Sequence, residues 1–135
     1  KFIEKQIKDN KPEIIFTHFE NDLNIDHQII YKAVITATRP LSKTFVKKIY
    51  SFEIPSSTDF SISRKLKKVF NPNLYFNVES TISKKINLLK LYKDEIKKWP
   101  HSRSLKSIKN LAMYRGSQIG IKYAEAFIIV RELQD

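Results

Sequence analysis

Residues 13 to 37 carry the pattern that most narrows what this chain can become. Glu13-Ile14-Ile15-Phe16-Thr17 is a short, nearly continuous apolar run, the mark of a strand buried on both faces in a parallel sheet. His18 to His27 follows as a polar stretch rich in loop and helix-capping residues. Ile29, Ile30, Ala33, Val34 and Ala37 then recur at helical spacing until Arg39-Pro40 stops them. Strand, polar loop and helix in that order make half of a βαβ unit, in which ligands bind at the loop leaving the carboxyl end of the strand.

The rest of the chain extends the same alternation. Phe2, Ile3 and Ile7 mark a helix that ends at Asn10-Lys11-Pro12, and Val46 to Ile54 reads as a second strand closed by Pro55. Leu74 to Val78 is a third, shorter strand. The long irregular stretch between them, Pro55 to Asn73, has the length of a functional or mobile connection such as a lid. Ser80 reads as the cap of a helix with Ile82, Ile86, Leu89, Tyr92 and Ile96 on its apolar face, closed by Trp99-Pro100. His101-Ser102-Arg103-Ser104 connects to a helix through Ile108, Leu111, Ala112 and Tyr114, with Gly116 and Gly120 near its end, and Ala126 to Val130 is a buried strand. No repeat, low-complexity tract or domain boundary interrupts this α/β order.

With 135 residues the chain is one domain or a large piece of one. The absence of cysteine excludes a disulfide framework, a thiolate zinc site and a Cys nucleophile. The longest apolar runs, such as Ala126 to Val130, are far too short to span a membrane. The formal charge of +11 points toward anionic partners, yet 20 of the 25 cations are Lys, beside 19 Ile and 8 Asn, an excess we attribute to genome base composition before function. Phosphate and base recognition favours the planar fork of Arg, so no nucleic-acid partner is expected. The best place for one is Arg64-Lys65-Leu66-Lys67-Lys68 with Phe70, Tyr75 and Phe76, which otherwise reads as a solvated face beside buried aromatics. The chain opens at Lys1 in what reads as mid-helix and its one Met is Met113, so it is expected to be part of a longer protein, although a cleaved signal peptide would also remove the initiator.

Chemistry concentrates at the first strand end. His27 opens a helix directly after a parallel-type strand and a loop holding Asp22 and Asp26, so a metal there would meet an imidazole and nearby carboxylates. Against this, Asp-His pairs are common, and Asp26 is equally a carboxylate favoured by the helix dipole. His18 reads as a strand-end residue with a local hydrogen bond or as a functional group, and His101 as a connector residue or the same. Arg103 and Arg115 stand out in a chain that otherwise chooses Lys: each suits a sugar hydroxyl, a diphosphate or a carboxylate, or an ion pair with a residue such as Glu125 or Glu53. Ser56-Ser57-Thr58-Asp59 lines an acceptor pocket or is an ordinary turn.

Taken together, Pro12-Glu13-Ile14-Ile15-Phe16-Thr17-His18, Asp22-Leu23-Asn24-Ile25-Asp26-His27 and Arg39-Pro40 resemble the second metal-site motif of the LmbE/PIG-L family of zinc-dependent N-acetylglucosaminyl deacetylases. Pro100 to Ser104, Arg115-Gly116 and Ala124-Glu125-Ala126-Phe127 resemble that family's carboxyl-terminal segments in order and approximate spacing, so the resemblance covers essentially the whole chain. It implies a Rossmann-like, mostly parallel sheet flanked by helices and incomplete at its N-terminal side, with residues 1–135 forming the carboxyl-terminal portion of a single deacetylase domain. In the family, zinc is held by a His and an Asp of an amino-terminal AHPDDE-type motif and by a second His that matches His27; the middle acid of that first motif is the general base. The motif is absent here. Catalytic zinc normally keeps three protein ligands, so either upstream residues complete the site or the chain is inactive.

The implied activity is cytoplasmic removal of acetate from an N-acetylated amino sugar of the GlcNAc type, including one carried in a nucleotide- or lipid-linked glycan precursor. Within it, Asp26 orients an imidazole or the metal-site backbone. Many relatives place a second His three residues before the ligand, where this chain has Asn24, which donates a hydrogen bond but cannot shuttle a proton. Asn24 is therefore read with Arg103 and Arg115 as a substrate contact, and the acid that protonates the leaving amine falls to His18 or His101. The rival readings are a basic nucleic-acid-binding module and a catalytically inactive interaction homologue. The chain is expected to fold poorly alone, because a parallel strand without its neighbour leaves backbone groups unpaired.

Overall fold

The computed structural model describes residues 1–40, 46–61 and 69–134. Its elements are α1 (Phe2–Asn10), β1 (Ile14–His18), α2 (Ile25–Ala37), β2 (Lys48–Phe52), β3 (Leu74–Asn77), α3 (Ile82–Leu89), α4 (Leu105–Ser117) and β4 (Ala124–Glu132). The four strands form a mixed sheet in the order β1-β2-β4-β3, which is the expected α/β architecture. The parallel pairing read from the sequence is realised between β1 and β2, with Ile14 opposite Lys48 and His18 opposite Phe52. Their carboxyl ends therefore lie side by side. β4 enters antiparallel to β2, with a register shift at Ile49/Tyr50.

The chain divides into two compact units, residues 1–73 with 127–135 and residues 74–126, and no composition shift marks the division. In the first, α1 ends where Lys11 takes a left-handed φ of 47° ahead of Pro12. α2 ends at Thr38, whose hydroxyl donates to the Val34 carbonyl at 2.8 Å just before Arg39-Pro40. Val34, Val46 and Ile49 form the core, with Ile3, Ile7, Ile15, Ile35 and Val130 packed against it. Other rings meet edge-on, Phe16 against Tyr50 at 5.6 Å and against Phe127 at 5.3 Å.

In the second unit α3 packs on α4. The Lys85 ammonium meets Glu125 at 2.6 Å, and the Glu79 carboxylate accepts from the Lys122 amide at 3.0 Å. Gly116 lets the end of α4 touch the turn into β4: a Cβ there would lie 2.5 Å from the Ile121 carbonyl oxygen and 2.9 Å from the Tyr123 nitrogen. Only hydrogen fits at that approach.

Three expectations change. β1 is not buried on both faces, since Ile14 and Phe16 stay 45% and 49% exposed; as the terminal strand of the sheet, it has a neighbouring strand on one side among the described residues. The third helix starts after Thr81, without a side-chain cap bond, rather than at Ser80. It also stops at Leu89 instead of running to Ile96, because the amides of Leu91 and Tyr92 turn to the carbonyls of Leu88 and Leu89, each at 3.0 Å, and these tighter i to i−3 bonds close the last turn. Of the stretch expected to act as a lid, residues 62–68 lie outside the described residues, and 55–60 fold as turns.

Candidate functional site

The loop after β1 returns into α2 through two nested local bonds. The Asn24 side chain accepts from the Asp26 amide at 2.9 Å, which makes Asn24 the N-cap of α2. The Asn24 amide in turn donates to Asp22 Oδ1 at 2.9 Å. This folds Asp22 back under the helix start, where its side chain is 0% exposed.

A buried carboxylate needs donors, and the loop after β2 provides them. The Ser57 hydroxyl donates to Asp22 Oδ1 and the Thr58 hydroxyl to Asp22 Oδ2, the latter at 2.7 Å. The same two loops are joined by the Ser61 hydroxyl on the Asn21 carbonyl at 2.8 Å and by the Leu23 amide on the Ser57 carbonyl at 3.4 Å. They are adjacent because β1 and β2 are parallel neighbours, so both loops leave the same end of the sheet.

His27 stands in the first turn of α2 with its side chain 17% exposed and Nδ1 3.1 Å from Asp22 Oδ1. Nε2, the other ring nitrogen, has no hydrogen-bond partner among the described residues. His18, at the end of β1, stacks on the His27 ring with centroids 4.1 Å apart and an interplanar angle of 24°. Its Nδ1 is buried without a hydrogen-bond partner among the described residues.

The protonation of this group follows from its surroundings. Burial works to raise the Asp22 carboxyl, but the bonds from Ser57, the Asn24 amide, Thr58 and His27 outweigh it and hold the group below the ordinary carboxylate range. Burial pushes His18 below the usual histidine range, His27 adds to the effect and Asp22 opposes it, so the His18 ring is neutral near pH 7. The cluster thus offers an ionised carboxylate behind one imidazole and a second, neutral imidazole beside it.

The residues singled out from the sequence separate accordingly. His18, Asn24 and His27 come together here. Asp26 does not orient His27: its side chain is exposed and its amide serves the cap, while Asp22, one helical turn earlier in the chain, contacts the ring. Ser57 and Thr58 belong to the turn that supports Asp22. The sequence marks their stretch as a pocket lining or an ordinary turn, but not their pairing with Asp22, which for Ser57 spans 35 residues of sequence.

In the second unit, His101 is exposed and its Nδ1 accepts from the Arg103 amide at 3.0 Å. Arg103 Nη1 meets the Glu95 carboxylate at 2.5 Å. Arg115 Nη1 donates to Gln118 at 3.0 Å, and its guanidinium lies 5.4 Å from the Tyr114 ring, while Glu125 is taken by Lys85. The basic run Arg64 to Lys68 lies outside the described residues.

A catalytic zinc ion asks for three protein ligands, with the unused nitrogen of each histidine held by an outer partner. His27 fits one such position, with Asp22 as its outer partner. The described residues go no further: among them no group of three or more His, Asp or Glu is placed to hold a metal ion. Nor is any described helix long and apolar enough to cross a membrane.

No protein-family model matches the chain, and no curated protein matches it in sequence. Solved structures do. A conserved protein from Thermus thermophilus aligns with a TM-score of 0.73 at 15% identity, over 99% of this chain and 59% of its own. The N,N'-diacetylchitobiose deacetylase from Pyrococcus horikoshii, solved with an inhibitor, aligns with a TM-score of 0.68 at 13% identity, over 96% of this chain and 50% of its own. The chain therefore spans between 50% and 59% of the length of these structures, and across that span it has their α/β fold.

Proposed function

We propose that this chain is part of a zinc-dependent hydrolase that removes the acetyl group from an N-acetylated amino sugar of the GlcNAc type. The observation that carries the reading is the exposed edge of one imidazole, His27, backed by a buried carboxylate at the carboxyl ends of two parallel strands. The fold it shares with a diacetylchitobiose deacetylase supports the choice of an amide substrate on a sugar.

In this reading His27 Nε2 is one of the zinc ligands, and the others come from residues beyond those described. Zinc, when bound, supplies polarisation of the acetamide carbonyl and activation of water. The chain's own residues do the rest. Asn24 has its side-chain oxygen committed to the helix cap, so its contribution toward a sugar is the amide nitrogen, a donor. Of the two candidate acids, His18 lies against His27 while His101 Nδ1 is occupied by a local amide; because burial favours the neutral His18 ring, it would serve as an acid only after taking up a proton in an earlier step. Arg103 and Arg115 are proposed to contact substrate in competition with the partners they hold here.

The test is bound zinc and acetate release from N,N'-diacetylchitobiose and GlcNAc by the full-length protein and by His27→Ala. The expected result is loss of both in the variant; unchanged metal content together with unchanged acetate release rejects the reading.

A further inference from the structure

Asp22 is the most fully enclosed charge in the described part of the molecule, and its oxygens are taken up by donors of the protein itself. Its bonding explains why it is there. A carboxylate is an acceptor only, and four groups face this one: the Asn24 amide, the Ser57 hydroxyl and His27 Nδ1 at Oδ1, and the Thr58 hydroxyl at Oδ2. Three of those donors are fixed. Two hydroxyls come from one turn, and the amide is locked by the cap of α2. Only the imidazole has a choice, because a neutral ring can carry its hydrogen on either nitrogen.

We propose that Asp22, clamped by Ser57 and Thr58, is a positioning residue that fixes His27 as the Nδ1–H tautomer and turns the Nε2 lone pair away from the protein. The alternative tautomer would set the Nδ1 lone pair against Asp22 Oδ1 at 3.1 Å, with the Ser57 oxygen 3.5 Å away, and none of the described residues brings a further hydrogen between them. The Ser57 hydrogen is already on Asp22. The bonding of a single carboxylate thus decides which ring nitrogen is available to a ligand. This goes one step beyond the zinc reading: it concerns how His27 is set before any ligand arrives, and its link to zinc rests on that reading.

The experiment is long-range 1H–15N NMR of the His27 ring in the chelator-treated, uniformly 15N-labelled protein, at a pH where the ring is neutral. The wild type is expected to show the Nδ1–H form, and finding Nε2–H there overturns the proposal. Asp22→Ala removes the acceptor and is expected to move His27 to Nε2–H, the form a free imidazole favours; a folded Asp22→Ala protein that keeps Nδ1–H also overturns it. Asp22→Asn is the rescue, since the Asn24 amide and the Ser57 hydroxyl still demand an oxygen at the Oδ1 position, so Nδ1–H is expected to persist. If Asp22→Ala does not fold, the wild-type tautomer decides alone.

Titration with Zn2+ separates this inference from the function above. Loss of the negative charge in Asp22→Asn is expected to weaken zinc binding about tenfold, the lower end of what such outer partners contribute. A wild-type protein that shows the Nδ1–H tautomer but takes up no zinc supports the positioning role of Asp22 and removes the zinc reading.

Discussion

α2 and α4 are each 13 residues long, and each begins with a polar cap that accepts from a backbone amide, Asn24 for α2 and Ser104 for α4. A histidine lies close by in both cases. At α4 the arrangement closes on itself: the Ser104 hydroxyl accepts from the Ser107 amide at 3.1 Å, and the Ser107 hydroxyl donates to the His101 carbonyl at 3.0 Å. The His101 ring stays exposed and binds a neighbouring amide. At α2 the cap draws in a carboxylate from two residues before it, and a turn on the adjacent strand supplies two hydroxyls to neutralise the cost of burying it. The difference teaches that a helix start becomes a candidate site through what is brought to it across the fold, since both starts are closed by a polar side chain that accepts from an amide of the first turn.

The largest expected effect tests that contrast directly. Asp22→Ala strands two hydroxyls and an amide in a buried space and should lower the free energy of unfolding by about 3 kcal/mol, read by urea denaturation. If the loss is no greater than that of Ser104→Ala, the two helix starts are equivalent and the comparison breaks.

Acid should separate them next. Asp22 has a folded value below its ordinary 3.8, so it contributes stability that is complete above that value and is lost as pH falls from about 3.8 through the lower folded value. His18 is also depressed, from 6.5, so the unfolded chain takes up the proton first, and stability declines as pH falls below about 6.5 toward its folded value. Unfolding free energies measured from about pH 8 to about pH 3 should therefore fall in two windows. His18→Gln should remove the upper one, and a wild-type profile flat between about pH 7 and about pH 5 contradicts the burial of that ring.

The two caps themselves should be nearly equal. Ser104→Ala removes one cap bond and should cost about 1 kcal/mol by thermal or urea unfolding. Asn24→Ala should cost about the same, because its amide still reaches Asp22; a much larger loss would mean that the Asn24 side chain, rather than the two hydroxyls, holds the cluster. Smallest of all, His101→Ala should change stability by less than about 0.5 kcal/mol, as expected of an exposed ring.

What the sequence revealed and what it hid divide along the same line. The strand, loop and helix of residues 13 to 37 were legible because they depend on near neighbours: apolar runs, a capping residue and prolines that disallow helix before them. His27 was legible for the same reason, as the residue that opens a helix after a strand. The resemblance implies that Asp26 orients an imidazole or the metal-site backbone, yet adjacent helical residues point in different directions and the Asp26 side chain is exposed. Asp22 became the partner only because Ser57 and Thr58, far along the chain, arrive through the parallel pairing of β1 and β2. The exposure of Ile14 and Phe16 was hidden likewise, since a strand's place in the sheet order is a property of the whole sheet.

The bonds that join residues 19–24 to residues 54–61 have a thermodynamic consequence. Two loops that are fastened to each other during folding have little freedom left to surrender when a small molecule arrives. Recognition at His27 should then carry a modest heat-capacity change that reflects the covered surface, with no ordering contribution from these two loops.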